Sequence, residues 1–501
     1  MSDERPTWLV VVTLAVAGIT AAHAETRPRY AGKIEGSLLG SPGTLDPVHA
    51  QSHAEITVAE LVFDTLYRVE LSGAVEPRLA GGLPDLDATR TVARLTVQKG
   101  VRFHDGSLLT VQDVVASLER ARTGPGRWAL APITSIKATG DVIELTLRTP
   151  TPELPMLLAL PPAAITKQGK PPGERPIGSG PFELESIDRP NHRMVLKAFD
   201  DHFAGRPYID RLVLSWFDAP DGEARKFEEG KAELSARGVA AFTGGQPKYR
   251  AAYVEGPAAV LVFVGFGRAH PDVLGDRGFR RALDQSLARG PLVAAVTTGE
   301  RVVGAREPAP VEAGGLALSI AASNGDLATA QAALGSAATR VSALAPGKLA
   351  QLRLEILFEE TRPGDREIAG RVARALEKLQ IQSVITAVSS TVLRERVARG
   401  TCDLWIGQLA NPITIATPWW TAAFAAGGDD WAATQLAAGS LTPAAAQQTF
   451  NDRLPIVPLM FRAIRMWHRS DIHGLRFDAS GRPCFAEMFL FGHAVLTGKK
   501  P

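Results

Sequence analysis

Between residues 350 and 410 the apolar positions change period four times. Leu352, Leu354, Ile356 and Phe358 recur every second residue, as on one face of a strand. Ile368, Val372, Ala375, Leu376 and Leu379 then recur at helical spacing. Ile381 to Val388 predicts a second strand, Thr391 to Arg399 a second helix stopped by Gly400, and Asp403 to Leu409 a third strand. Strands alternating with helices in this way predict a parallel sheet with right-handed crossovers. In such sheets ligands lie outside the carboxyl ends of the strands, which places the loop after Leu409 at a ligand cleft.

From about residue 69 to 177 the pattern is mostly strand and turn. Thr91 to Val97 predicts a strand; Ile143, Leu145 and Leu147 alternate with Glu144, Thr146 and Arg148 after a Thr139-Gly140-Asp141 turn. Between them runs Lys99 to Arg122, KGVRFHDGSLLTVQDVVASLERAR. Val101 and Phe103 alternate with polar neighbours, and Asp105-Gly106 supplies a turn because Gly tolerates positive φ. Thr110 and Asp113 have the spacing of a capping box, followed by the apolar helix positions Val114, Val115 and Leu118. Proline-rich segments follow at 150–155, 161–162 and 171–172 and suit a domain edge. The Ala-, Gly- and Ser-rich stretch from Ala313 to Pro346 predicts surface helices and loops.

Length and composition narrow the class. A chain of 501 residues needs two or three domains. Its 45% hydrophobic and 22% charged residues are those of a globular protein with no need of disulfide staples. The formal charge is only +2, with Lys and Arg scattered, which argues against a nucleic-acid groove or a polybasic membrane patch. Trp8 to Ala22 is one apolar run of about 15 residues, short for a membrane span, and it ends in Ala22-His23-Ala24. That is the pattern of a secretory signal cleaved after Ala24, although Asp3 and Glu4 before it depart from the usual positive charge. An uncleaved anchor is the other reading. The two cysteines, Cys402 and Cys484, lie far from this run, so no lipid-attachment cysteine follows it. In an oxidising compartment they could pair or remain two thiols.

The phrase G-V-x-F-H-D-G-x-x-x-T-x-x-D-V-x-x-S-L-x-R-A at 100–121 closely resembles the signature of the family 5 extracytoplasmic solute-binding proteins, the peptide- and nickel-type binding components of bacterial ABC importers. Pro176-Ile177-Gly178-Ser179-Gly180-Pro181-Phe182 resembles the family's P-V-G-T-G-P-Y. Weaker phrases fall in the family's order: GTLDP at 43–47, AELVFDTLY at 59–67, EPRLA at 76–80, GRPYID at 205–210, RRAL at 280–283 and LPIVPL at 454–459. The resemblance covers most of residues 40 to 490.

The resemblance implies an α/β, bilobal periplasmic-binding-protein type II (Venus-flytrap) fold with an extra domain. Domain I would comprise 31–68, 178–268 and 456–498, domain II 69–177 and domain III 269–455, after a signal peptide at 1–24. It further implies a periplasmic, monomeric, non-enzymatic protein that captures a peptide or similar-sized polar solute by hinge closure and delivers it to an ABC permease and its ATPase subunits. A membrane-anchored sensor or periplasmic chaperone on the same fold is the alternative. No cofactor or nucleic-acid partner is implied, and no G-x-S-x-G elbow, H-E-x-x-H or C-x-x-C occurs.

Candidate ligand-binding residues follow from both readings. Trp128, in Gly-Pro-Gly-Arg-Trp after the signature helix, could cover a ligand face. Trp419 and Trp420 follow Pro418 beyond the third strand, whereas Trp405, inside that strand, suits the core. Peptide-binding relatives often carry an acidic loop after this strand; here it reads Gln408-Leu409-Ala410-Asn411-Pro412, so Gln408 and Asn411 can hydrogen-bond but no carboxylate pairs an ammonium group. His49 and His53 have the i, i+4 spacing of metal ligands on a helix, without completing a metal motif; as the segment lines the cleft in relatives, Gln51 and His53 are ligand contacts. Leu160-Pro161-Pro162 lacks the arginine that nickel-type relatives place there, which argues against a chelated-nickel ligand. His104 and Asp105 read as strand and turn residues.

Overall fold

The computed structural model describes residues 30, 32–50, 52–218, 220–238, 247, 251–257, 260–297, 305–306, 311–313, 316–318, 325–360, 362, 364–410, 416–437, 440–479 and 481–491. Three larger sheets organise them. A seven-stranded sheet runs in the order Ala252–Glu255, Arg465–His468, Leu234–Gly238, Lys33–Leu39, Arg211–Phe217, Arg193–Ala198 and Phe182–Asp188. A six-stranded sheet runs in the order Ala305–Arg306, Val457–Arg462, Val260–Phe266, Leu404–Ala410, Arg353–Glu359 and Gln382–Val388. A four-stranded antiparallel sheet joins Asp85–Leu86, Val92–Thr96, Val142–Leu147 and Ile133–Thr139.

The period changes between 350 and 410 become a parallel unit. Arg353–Glu359 pairs in parallel with Gln382–Val388 on one side and Leu404–Ala410 on the other. The crossovers are the helices Asp365–Lys378 and Ser390–Arg399, the second closed by Gly400 at φ +69°. The first helix buries Ile368, Ala369, Val372, Ala375 and Leu376 against the sheet's core.

Two strands expected in domain I belong to this six-stranded sheet. Val260–Phe266 pairs along its whole length with Leu404–Ala410, and Val457–Arg462 pairs with its other edge. Both are almost wholly buried, apolar strands, which places them inside a sheet covered on both faces. The boundaries at 268 and 456 therefore move to the segments just after Glu255 and just after Arg462. There the Gly256 N–H donates to the Ile464 carbonyl (2.8 Å) and the Ile464 N–H to the Pro257 carbonyl (3.2 Å). These two crossings join the sheets as a narrow two-stranded ribbon.

The signature phrase is structural. Thr110 and Asp113 form the reciprocal capping box of the helix Val111–Thr123. The His104 N–H donates to the Gly178 carbonyl (2.8 Å), and the His104 ring lies between the Gly178 N–H (3.3 Å) and the Gly180 carbonyl (3.0 Å). Asp105 is bound to Lys167. Gly178 and Gly180 press against the end of the helix His53–Val62, where a Cβ on either would collide with the Val62 backbone. The two most specific phrases of the sequence thus clamp each other. Cys402 and Cys484 are both free thiols, and burial pushes them up to about 11 and about 12.

Candidate functional site

Three strands of the six-stranded sheet run the same way and end at one edge. Arg353–Glu359 is parallel to Leu404–Ala410, and both Leu404–Ala410 and Val457–Arg462 are antiparallel to the strand between them. Glu359, Gln408 and Arg462 are therefore delivered to the same carboxyl edge. Register fixes two of the side chains further. Arg462 lies opposite Val260, and Gln408 lies opposite Val262, two residues along the same strand. Side chains in register or two apart share a face, so Arg462 and Gln408 stand on one face, on either side of Val260–Phe266.

Past Glu359 the chain turns through Arg362 and enters the helix Asp365–Lys378. Arg362 pairs with Glu359 at 2.6 Å and lies 3.8 Å from Asp365, which is wholly buried in the helix's first turn. Burial lifts the Asp365 carboxyl to about 7 against the pull of Arg362, and the charge of Glu359 adds to the rise. Arg462 is only 2% exposed; burial, with the like charge of Arg362, brings its guanidinium down to about 9. The Gln408 Nε2 is buried without a hydrogen-bond partner among the described residues.

The facing group comes from the other lobe. His53 opens the helix His53–Val62, whose capping box ties Ser52 to Glu55. Burial, and then the charge of Arg462, push His53 down to about 4, so its imidazole is neutral at pH 7. The charge of the buried Arg462, on the six-stranded side, thus acts on a part-buried histidine of the seven-stranded side.

Of the residues anticipated from sequence, Gln408 stands at this edge and His53 is within reach of the charge of Arg462. Gln51 and Asn411 lie outside the described residues. Trp128 is 51% exposed on the short helix Arg127–Leu130, which packs beside Val48 at the start of the His53 segment. Trp419 and Trp420, expected to flank a ligand, sit instead in the hydrophobic core. Their rings meet edge to face at 4.8 Å, and Trp420 is enclosed by Phe424 and Phe450 because the helices Ala416–Ala426 and Pro443–Arg453 pack their apolar faces together. Trp405 packs edge to face on Phe263, as a core residue. His49 does not share a helix with His53: it lies in the preceding turn, its Nδ1 3.0 Å from Asp46. Among the described residues no group of three or more His, Cys, Asp or Glu could hold a metal ion.

Arg462, Arg362 and Asp365 were missed. The usable signal was an apolar strand, VPLMF, ending in a lone arginine, but Val457–Arg462 was assigned to the wrong sheet.

Comparison with known proteins agrees with this architecture. The profile of the bacterial extracellular solute-binding proteins, family 5 Middle, matches residues 74–430. The oligopeptide-binding protein AppA of Bacillus subtilis is 25% identical over 305 residues, 56% of this chain and 54% of that one. The glutathione-binding protein GsiB of Pectobacterium atrosepticum is 28% identical over 236 residues, 44% and 45% of the two chains. The matched part is thus about half the length of these curated relatives. The crystal structure of NikA from Brucella suis in complex with Fe(III)-EDTA superposes with a TM-score of 0.74 at 16% identity, over 92% of this chain and 100% of that one. At that identity the likeness is one of fold.

Proposed function

Because this chain belongs to the bacterial extracellular solute-binding proteins of family 5, we propose that it captures a peptide or similar-sized polar solute between its lobes and hands it to an ABC permease driven by ATPase subunits. The observation that carries this reading is that two sheets, joined among the described residues by two chain crossings, bring the charge of Arg462 to bear on His53. A solute that touches both sides stabilises the closed arrangement over the open one, and closure needs rotation only at the ribbon of Gly256, Pro257 and Ile464. The cleft binds and releases; it transforms nothing. Gln51, Asn411 and Trp128 are the further residues of this reading that touch the solute. The apolar run at 8–22 exports the chain to the periplasm, and the mature protein begins at Glu25.

Native mass spectrometry of protein purified from the periplasm without refolding tests this. The expected spectrum shows a chain starting at Glu25 with extra mass that mild denaturation releases as a peptide or polar solute. A bare chain that no peptide or polar solute then stabilises thermally would overturn capture. Retention of residues 1–24 would instead favour an anchored sensor.

A further inference from the structure

Independently of the capture reading, we infer that this chain pairs with a second copy of itself along one sheet edge: the strand Gln382–Val388 lies antiparallel to the same strand of that copy, about a two-fold axis at Ile385. The resemblance to the family implies a monomer; the edges of the sheets point to a dimer. Among the described residues, Ala252–Glu255 ends its sheet with four residues, and Ala305–Arg306 and Asp85–Leu86 end theirs with two each, too short to template a partner. The other three edge strands have seven residues. Phe182–Asp188 carries Glu183, Glu185 and Asp188, and Ile133–Thr139 carries Lys137, the kind of charge that guards an edge against pairing. Gln382–Val388 carries none, and no charged residue or proline occurs from Leu379 to Leu393. Gln382, Ile385 and Ala387 are nonetheless exposed, Ile385 by 37%.

The inner ladder decides which groups this edge offers. The Gln382 N–H donates to the Leu352 carbonyl (3.2 Å), and the Glu360 N–H donates to the Val388 carbonyl (3.0 Å). In a parallel pair alternate residues of a strand bond to its neighbour, so Gln382, Val384, Thr386 and Val388 face Arg353–Glu359. Ser383, Ile385 and Ala387 aim their N–H and C=O groups outward, where no backbone partner meets them among the described residues. That set is its own complement. About a two-fold at Ile385, Ser383 of one copy opposes Ala387 of the other and Ile385 opposes itself, each donating to and accepting from its opposite. Charge fits the same register. Arg353 lies beside Gln382 and Glu360 beside Val388, at opposite ends of the strand; both are exposed and neither is in an ion pair among the described residues. Antiparallel pairing sets Gln382 against Val388, so Arg353 of one copy and Glu360 of the other come to the same end, and do so at both ends. The strand closes the far side of the sheet from Val457–Arg462, so the pairing leaves the two chain crossings free.

Sedimentation velocity on the full mature chain tests this, at loading concentrations from about 1 to about 200 µM, which bracket the affinity expected of so small an interface. The sedimentation coefficient should climb with concentration to that of a dimer. Hydrogen exchange should slow with concentration at the Ser383, Ile385 and Ala387 amides and stay unchanged at Gln382, Val384 and Thr386. Ile385→Lys sets like charges on the two-fold and should weaken the dimer at least about tenfold. Arg353→Glu should weaken it about threefold, and Glu360→Arg added to that variant should restore the original affinity, a rescue that misfolding cannot produce. A monomer at every concentration would overturn the inference. So would a dimer indifferent to Ile385→Lys, or one that the second charge reversal does not rescue. A monomer whose Ser383, Ile385 and Ala387 amides gain protection only from an added extended peptide would give the edge to a foreign strand and overturn the second copy. Solute capture stands or falls separately from all of these.

Discussion

The helix His53–Val62 has a buried polar cluster at each end, and the two are built differently. At its carboxyl end the Gly180 N–H donates to the Val62 carbonyl at 2.9 Å. Asp64 accepts from Arg78 (3.2 Å) and from the Ser179 hydroxyl (3.4 Å) and faces the His202 ring (3.4 Å). Burial alone would raise the Asp64 carboxyl, but His202 and Arg78 outweigh it and hold it below the usual carboxylate range. Here charge and counter-charge are matched within one lobe. At the amino end the charge of Arg462, on the other sheet, acts on His53, and both Asp365 oxygens near Arg462 are buried without a hydrogen-bond partner among the described residues. A matched buried network fixes geometry, whereas an unmatched one is costly unless something arrives to complete it. The first cluster belongs to the fold; the second lies at the edge proposed for the ligand.

The sharpest way to break the matched end is to add one methyl group. Gly178→Ala drives a Cβ into the Val62 carbonyl, backbone that cannot swing aside, and should cost upward of about 3 kcal/mol in urea unfolding. Gly173→Ala, which meets open space, should stay within about 0.5 kcal/mol. Equal stability of the two variants would mean that the Gly-Ser-Gly phrase does not lock the helix end. Next comes the ion pair that ties the segment before His53 to the signature helix. Arg120 grips both oxygens of Asp46 at 2.8 and 2.9 Å with little exposure. Arg120→Ala leaves the buried Asp46 carboxylate with the Val48 N–H and His49 but no fixed positive charge, and should cost about 3 kcal/mol at pH 7. Burial raises the Asp46 carboxyl, but Arg120 more than reverses this and holds it below 3.8. A depressed carboxylate stabilises the fold above its unfolded value, and that stability is lost as pH falls below about 4. The wild type should therefore lose more stability than Arg120→Ala between pH 5 and pH 2. A constant difference across that range would rule the linkage out.

Legibility from sequence divides along the same line. The matched regions were readable because local rules set them: period two at Ile143, Leu145 and Leu147, the Thr110–Asp113 spacing, and the helical recurrence from Ile368 to Leu379. The parallel unit was readable from strand alternation alone, whereas Gln408 came into view only through the loop that peptide-binding relatives carry after this strand. Arg462 was not, because a strand that returns from far along the chain has no local feature naming its sheet. Trp419 and Trp420 failed for a related reason: aromatic residues after a strand end fit a cleft or a helix-packing core equally well, and only their contacts with Phe424 and Phe450 decide.

Smaller effects sharpen the contrast. Thr110→Ala removes one hydrogen bond of the capping box and should cost about 1 kcal/mol, read as a shift in the urea midpoint with unchanged slope. A shift near zero would mean that Asp113 alone fixes the helix start.

The smallest expected effect on unfolding is at the other end of the helix, and its smallness is the point. His53 is depressed from 6.5 to about 4 in this structure, which the proposed capture reading takes as the closed form. For a depressed histidine the unfolded chain binds the extra proton, so the closed state loses stability as pH falls from 6.5 toward 4. A group inside a single packed core would pass that loss on to global unfolding. Under the proposed hinge closure, ligand-free protein escapes by opening, which returns the imidazole to water. Acidification from pH 7 to pH 5 should therefore leave the urea midpoint of ligand-free protein nearly unchanged while it depletes the closed form. Small-angle scattering or a fluorophore pair across the cleft would report this as a larger radius or lower transfer efficiency. His53→Gln should hold the open-to-closed ratio constant over the same range. A midpoint that falls with pH in the wild type but not in His53→Gln, with no change in dimensions, would place His53 in the rigid core and erase the difference between the two ends.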